Sequence, residues 1–377
     1  MLTKIKYEEF FGTPRHWKMH PLDLQQINLV VGKNATGKTR LINVLSGFYG
    51  ILAGKHPGIF ESAKYEAEIV LGGKKYEIIL HAEKGRVIEE KICVDGVTQL
   101  ERNSDGQGRI FYAKEGIPLS FQAPEAIYAV QQKRDKLQHP FMEEIAVWAS
   151  FASSIYFSST LGKEISLGLQ NIQQILATDG PIDLALVGTY TKGYDRFKED
   201  FDQSIIADMK TIGYDLLEVG ATDLRAFSPQ FAAPEPVLTT FVREQSRPEG
   251  MVLQGDMSQG MFRALALVVF VNYAKFSSRK ITLLVDDMGE GLDFERATGL
   301  LDVLCSHAKS SDWQLVMTTN DRFIMNRVPL EHWCLLHREG AEIHAVTERN
   351  SPEKFRKFKF MGLSNFEFFA SEQTQNK

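Results

Sequence analysis

Cysteine is scarce: Cys93, Cys305 and Cys334 are the only three in 377 residues. They are too few and too scattered for a disulfide framework or a thiolate metal site, and read as small buried hydrophobes in a reducing compartment. Long apolar runs are missing as well. The most hydrophobic stretch, ALALVVFVNYAKF from Ala264, stops short of the roughly 20 residues that span a bilayer and leads into polar sequence. The opening MLTKIKYEEFFG carries lysines and a glutamate but no apolar segment. No secretion signal and no membrane partner are therefore expected, and a cytoplasmic location is. Positive charge is not in excess: 43 lysines and arginines face 48 acids, a net of -5. Any contact with nucleic acid would have to be a local patch. Internal repeats, low-complexity tracts and sustained heptads are absent from the sequence too. That excludes solenoids and a coiled-coil rod.

What is present divides into four stretches. Residues 1–124 begin with a strand, a glycine loop and a helix. From Lys64 to Phe111 they continue in segments of period two, KYEAEIVL, KKYEIILHAE, RVIEEKICVDG and GRIFYA. The breaks fall at GG, KG and DG, which predicts an antiparallel meander with short turns. Residues 125–236 read mainly as helices. FMEEIAVWASFASSIYF opens one after Pro140, and Phe197, Phe201, Ile205, Ile206, Met209 and Ile212 form the packing stripe of another. Residues 237–350 alternate strands (VLTTFVRE, KITLLVDD, WQLVMTT) with helices. Such alternation implies a mainly parallel sheet covered on both faces. The fold expected is α/β: one nucleotide-binding domain with a split sheet, an antiparallel meander and a helical insertion lobe. Residues 351–377 form a tail, where Lys354, Arg356, Lys357 and Lys359 interleave with Phe355, Phe358 and Phe360. Such a tail can bind nucleic acid by phosphate contacts and stacking, but a surface element that buries its rings and solvates its lysines looks the same and is the commoner case.

The segment Gly32-Lys33-Asn34-Ala35-Thr36-Gly37-Lys38-Thr39, with Arg40 next, matches G-x-x-x-x-G-K-[ST] in full. Its glycines let the backbone wrap a phosphate against the following helix N-terminus. Lys38 would reach the β- and γ-phosphates of ATP, and the Thr39 hydroxyl would ligate Mg²⁺. A carboxylate must complete the metal site from the end of a neighbouring buried strand. Ile281–Asp287, ITLLVDD, supplies Asp286 for the metal and Asp287 to polarise an attacking water.

Between these motifs stands LQGDMSQGMFRALALVVF, and after them GEGLDFE and VMTTND. In this order the motifs resemble the ABC-type ATPase family, in the branch with RecF, SMC and OLD-like proteins. They look closest to stand-alone ATPases of bacterial anti-phage systems. The resemblance implies that Ser258, Gln259 and Gly260 open a helix that completes the ATP site of a second copy. It also implies that Gly291, Leu292 and Asp293 run along the dimer seam, and that Asn320 stands where the family has a histidine. The metal-facing glutamine could be Gln122, Gln131 or Gln132. Two departures bear on rate: the family's catalytic glutamate is Asp287 here, and Asn320 cannot take up a proton near neutral pH. Both point to slow hydrolysis, or to ATP held as a structural ligand. The residues after Thr319 are too few for a nuclease module, so the resemblance implies a homodimer or higher oligomer acting on a separate effector such as a nuclease. A RecF-like repair ATPase that contacts DNA, or a scaffold that binds ATP without cleaving it, are the alternatives.

Overall fold

The computed structural model describes residues 1–56, 58–156, 162–177, 185–227, 234–361 and 363–375. Strands β1 (Leu2–Glu9), β2 (Trp17–Asp23) and β3 (Ile27–Val31) lead into α1 (Lys38–Ala53). β3 is buried at all five positions, as a strand covered on both faces must be. α1 packs Leu41, Ile42, Leu45, Phe48 and Leu52 inward and stops where Gly54 turns left-handed at φ 73°.

The meander follows as β4 (Ser62–Leu71), β5 (Lys74–Glu83), β6 (Arg86–Val94), β7 (Val97–Asn103), β8 (Gln107–Tyr112) and β9 (Ile117–Gln122). Its first three connections are two-residue turns, Gly72-Gly73, Lys84-Gly85 and Asp95-Gly96, with positive φ at both residues. This is the turn whose twist matches that of the flanking strands.

Two short helices, α2 (Ala129–Gln132) and α3 (Pro140–Ser150), come next. The helix expected to run on through Ile155 ends at Ser150, and Ala152–Tyr156 becomes strand β10. Ser153 and Ser154 are weak helix formers, and β10 finds a parallel partner downstream, which propensity alone does not reveal. β11 (Leu167–Gly168), α4 (Leu169–Ala177), α5 (Leu186–Ile212) and β12 (Leu216–Asp223) complete the middle of the chain. On α5 the residues Phe201, Ile205, Met209 and Ile212 are buried, while Phe197 and Ile206 are partly so.

Beyond them lie β13 (Val237–Glu244), β14 (Arg247–Leu253), α6 (Gln259–Phe276), β15 (Thr282–Asp286) and α7 (Phe294–Ser311). The last elements are β16 (Gln314–Thr318), α8 (Arg322–Arg327), β17 (Trp333–Glu339), β18 (Glu342–Val346), α9 (Pro352–Met361) and α10 (Asn365–Gln375). A second difference from expectation concerns VLTTFVRE. This strand, β13, does not resume the large sheet but centres a small antiparallel one with β11, β12 and β14. Only Gln245 and Ser246 separate the Glu244–Arg247 pair, so β13 and β14 close as a hairpin; a parallel partner would need a long crossover.

The large sheet runs β10-β15-β16-β3-β17-β18-β2-β1-β4-β5-β6-β7-β8-β9. Its first five strands are parallel, and from β17 to β18 the direction reverses. Side chains of the parallel strands alternate between two cores. Leu29, Val31, Leu283, Val285, Leu315 and Met317 join α5, α6 and α7, while Val30, Leu284 and Val316 join α1, α3 and the meander. The tail settles against the first core. Phe368 contacts Phe355 and Phe358 with ring centroids 4.9 and 4.7 Å away, and all three are buried, out of reach of any base. Lys359 pairs with Glu348, and the side chain of Phe360 lies outside the described residues.

Candidate functional site

β3, β15 and β16 are adjacent and parallel, so the loops at their C-terminal ends converge. In open α/β sheets that edge is where ligands bind. The loop after β3 wraps tightly. Thr36 donates its hydroxyl to Lys33 O at 2.8 Å, Ala35 adopts a left-handed φ of 64°, and Arg338 on β17 holds Ala35 O at 3.0 Å. A Cβ at Gly32 would stand 2.5 Å from Thr36 Oγ1, so the wrap needs glycine there. Gly37 starts α1 at φ 102° with no side-chain cap, which leaves the first N–H groups of the helix to an anion. Lys33 and Asn34 are exposed, and Thr39 is exposed in the first turn.

Lys38 is 93% shielded from solvent, with its Nζ folded onto Gly32 O at 2.9 Å and Lys33 O at 3.2 Å. Burial pulls its pKa down, while the charges of Asp287 and Asp286 push it back up. Asp287 shows the converse. Burial raises its pKa, Asp286 and Glu290 raise it further, and Lys38 opposes them. The two distant motifs thus share one electrostatic site, an ammonium beside a cluster of carboxylates. Glu290 belongs to this cluster and was not foreseen; Arg263 on α6 holds its backbone carbonyl at 2.5 Å.

Thr318, the last residue of β16, was also missed. Its hydroxyl donates to Asp286 Oδ1 at 2.7 Å and accepts from the Asp287 N–H at 2.8 Å. One buried threonine therefore fixes both aspartates. Asp287 sits at φ 54°, a left-handed conformation that costs an ordinary residue about 1–3 kcal/mol and that aspartate tolerates better than most. The hydroxyl of Thr39 and the carboxylate of Asp286 are hard oxygen donors, the kind Mg²⁺ takes.

The remaining expected residues fall in several places. Ser258 is the N-cap of α6 and accepts the Met261 N–H at 3.2 Å; Ser258 and Gln259 are exposed. Gly260 is buried, and a Cβ there would lie 2.7 Å from Gly291 O, so the helix start packs on the loop after β15. Asp293 caps α7 by accepting the Arg296 N–H at 3.0 Å and pairs with the same arginine. Asn320 is exposed just after β16. Arg40 lies 4.5 Å over the Trp17 ring and pairs with Glu9, which ties it to β1 and β2. None of the three glutamines considered stands at the phosphate loop. Gln131 donates to Ile51 O near the far end of α1, Gln132 is exposed in α2, and Gln122 donates to Asp105 O within the meander.

No protein-family model matches the sequence, and no curated protein matches it. Solved structures do. An SMC head bound to the C-winged helix domain of ScpA aligns over 92% of this chain and 96% of its own, at 12% identity and a TM-score of 0.55. The chain folds as an SMC head does. A head domain from Thermotoga maritima covers 92% of this chain and 98% of its own at 11% identity and a TM-score of 0.44. A third match is a head with an extended coiled coil, bound to the C-terminal domain of ScpA derived from Pyrococcus furiosus. It covers 95% and 100% at 12% identity and 0.48. At such identities the likeness concerns the fold alone, which is that of an SMC head. Among the described residues no helix is long and apolar enough to cross a membrane.

Proposed function

We propose that this chain is an ABC-type ATPase that closes on a second copy of itself around ATP, hydrolyses it slowly, and so controls a separate effector protein. The observation that carries the reading is the shared site of Lys38, Asp286 and Asp287, held beneath an uncapped helix N-terminus. In this reading Lys38 turns from Gly32 O to the β- and γ-phosphates, and the first N–H groups of α1 take the remaining negative charge. Thr39 and Asp286 are the residues that would hold Mg²⁺, whose charge would offset that developing on the phosphates. Asp287 accepts a hydrogen bond from the attacking water, and Asn320 steadies a phosphate oxygen. Ser258, exposed at the start of α6, reaches the γ-phosphate held by the other copy.

Asp287 is one methylene shorter than glutamate and Asn320 carries no proton to shuttle, so turnover is expected below the usual range of about 1–10³ per second. The resemblance to stand-alone anti-phage ATPases supports a role in phage defence. A scaffold that binds ATP without cleaving it is the second reading, favoured by the left-handed backbone that constrains Asp287.

Lys38→Ala tests the assignment. ATP binding measured by calorimetry should be lost, because the cation facing the phosphates is gone. Affinity within about twofold of the parent would contradict it, since removing a charged phosphate contact costs more than about 1 kcal/mol.

A further inference from the structure

Within the large sheet, β18 pairs parallel with β2. The ladder is only two residue pairs long, Glu342 with Lys18 and Ile343 with Met19. This is the joint between the parallel part of the sheet and the meander. Three side chains meet on it. His20 Nε2 lies 2.6 Å from Glu342 Oε2, and His344 Nε2 lies 3.9 Å from the same oxygen. The two imidazoles stack at 4.0 Å with planes 16° apart, and the donor atoms of all three residues lie within 4.8 Å of one another. His337 on β17 pairs in register with His344.

Each of the three residues is half-buried, and each is carried on a strand rather than a loop. One divalent ion would satisfy both rings and the shared carboxylate oxygen together. The other carboxylate oxygen keeps Lys18 at 3.7 Å.

We propose that His20, Glu342 and His344 form a binding site for a borderline-soft divalent cation, Zn²⁺ being the best fit, that staples this joint. Zinc binds imidazole nitrogen and carboxylate oxygen at about 2.0–2.2 Å, which sets neighbouring donors roughly 3.3 Å apart around a tetrahedral ion. The observed spacings of 2.6 and 3.9 Å bracket that value. Imidazole donors disfavour Mg²⁺, so the site is chemically distinct from the one at Asp286. The joint also backs the phosphate loop. Trp17 on β2 and Ile343 on β18 lie 3.3 and 3.9 Å from where a Cβ of Gly37 would be.

The test is a calorimetric titration of the chelator-treated full chain with Zn²⁺, in excess Mg²⁺ to occupy the carboxylates near Lys38. One zinc site is expected, with a thermal midpoint raised by several degrees. The site should be lost in His20→Ala/His344→Ala and retained in Cys93→Ser. Replacement by Co²⁺ reads the same site in the unmutated chain, through visible absorption with imidazole ligation, so a poorly folding double variant leaves the proposal testable. No zinc binding, or binding that survives loss of both histidines, or Co²⁺ that stays octahedral and aquated, overturns it.

Discussion

In the parallel part of the large sheet, β3, β15 and β16 are buried at every one of their positions, whereas β5 in the meander alternates buried and accessible residues along its length. The first kind of strand has no side chain to spare for solvent, so its chemistry is displaced to the C-terminal ends: the loop after Val31, then Asp286 and Thr318. The second kind keeps one wet face and ends in two-residue turns, and so contributes shape and support. A substitution in the parallel part should therefore reach the nucleotide, and an equally buried one in the meander should reach only stability.

The largest effects test that contrast directly. Gly32→Val should abolish ATP binding, because even a Cβ would stand 2.5 Å from Thr36 Oγ1 and 3.2 Å from Leu336 O. Ile78→Ala, on the buried face of β5, should cost about 2–5 kcal/mol in denaturant unfolding. Its ATP affinity should stay within about twofold of the parent, as expected for separate sites. A large affinity loss in Ile78→Ala would show that the meander is part of the site rather than its support.

An intermediate effect is expected at Thr318. Valine there preserves shape but removes the hydroxyl that fixes both aspartates, so ATP turnover should fall about 10–100-fold, as for other groups that orient a first ligand, with affinity nearly kept. Steady-state phosphate release against calorimetric affinity separates the two. Equal loss of both would mean that Thr318 acts on binding.

The smallest effect is a gain. Without a bound cation, Asp287 is desolvated beside Asp286 and Glu290, so Asp287→Asn should raise the thermal midpoint of the nucleotide-free protein by about 1–2 °C. The sign with pH follows. The folded-state pKa of Asp287 lies above its ordinary value of 3.8, so the folded protein holds that proton more tightly. Its penalty is absent below that pH and grows as pH rises through the interval above it. Asp287→Asn should flatten this slope, and an unchanged slope would place the charge conflict elsewhere.

The phosphate loop and the three tight turns were legible because few residue types tolerate their backbone angles, and Gly37, Gly73, Gly85 and Gly96 announce them. Asp286 was legible as the polar end of an apolar strand. Thr318 was not, since a threonine in WQLVMTT reads as one more β-branched strand residue until its hydroxyl is seen between two aspartates. β10 was hidden because no glycine or proline separates ASSIY from the helix before it, and its partner Thr282–Asp286 is remote in sequence. Ser258 and Asp293 both cap helices, a role that their places in the sequence did not separate from the one the resemblance gives them. His20 and Glu342 stand 322 residues apart, and only the joint of β2 and β18 brings them together.

The central claim is that two copies share each ATP site, and complementation between inactive chains tests it most directly. Ser258→Arg spoils the serine a chain lends, and Lys38→Ala spoils the loop it keeps. Each variant alone should release no phosphate, while a mixture should regain hydrolysis, because the heterodimer holds one site with an intact Lys38 and an intact Ser258. ATP should drive the mixture to a dimer in analytical ultracentrifugation. A Ser258→Arg chain that hydrolyses ATP by itself at the parent rate, or a protein that stays monomeric with ATP and Mg²⁺, would contradict the account.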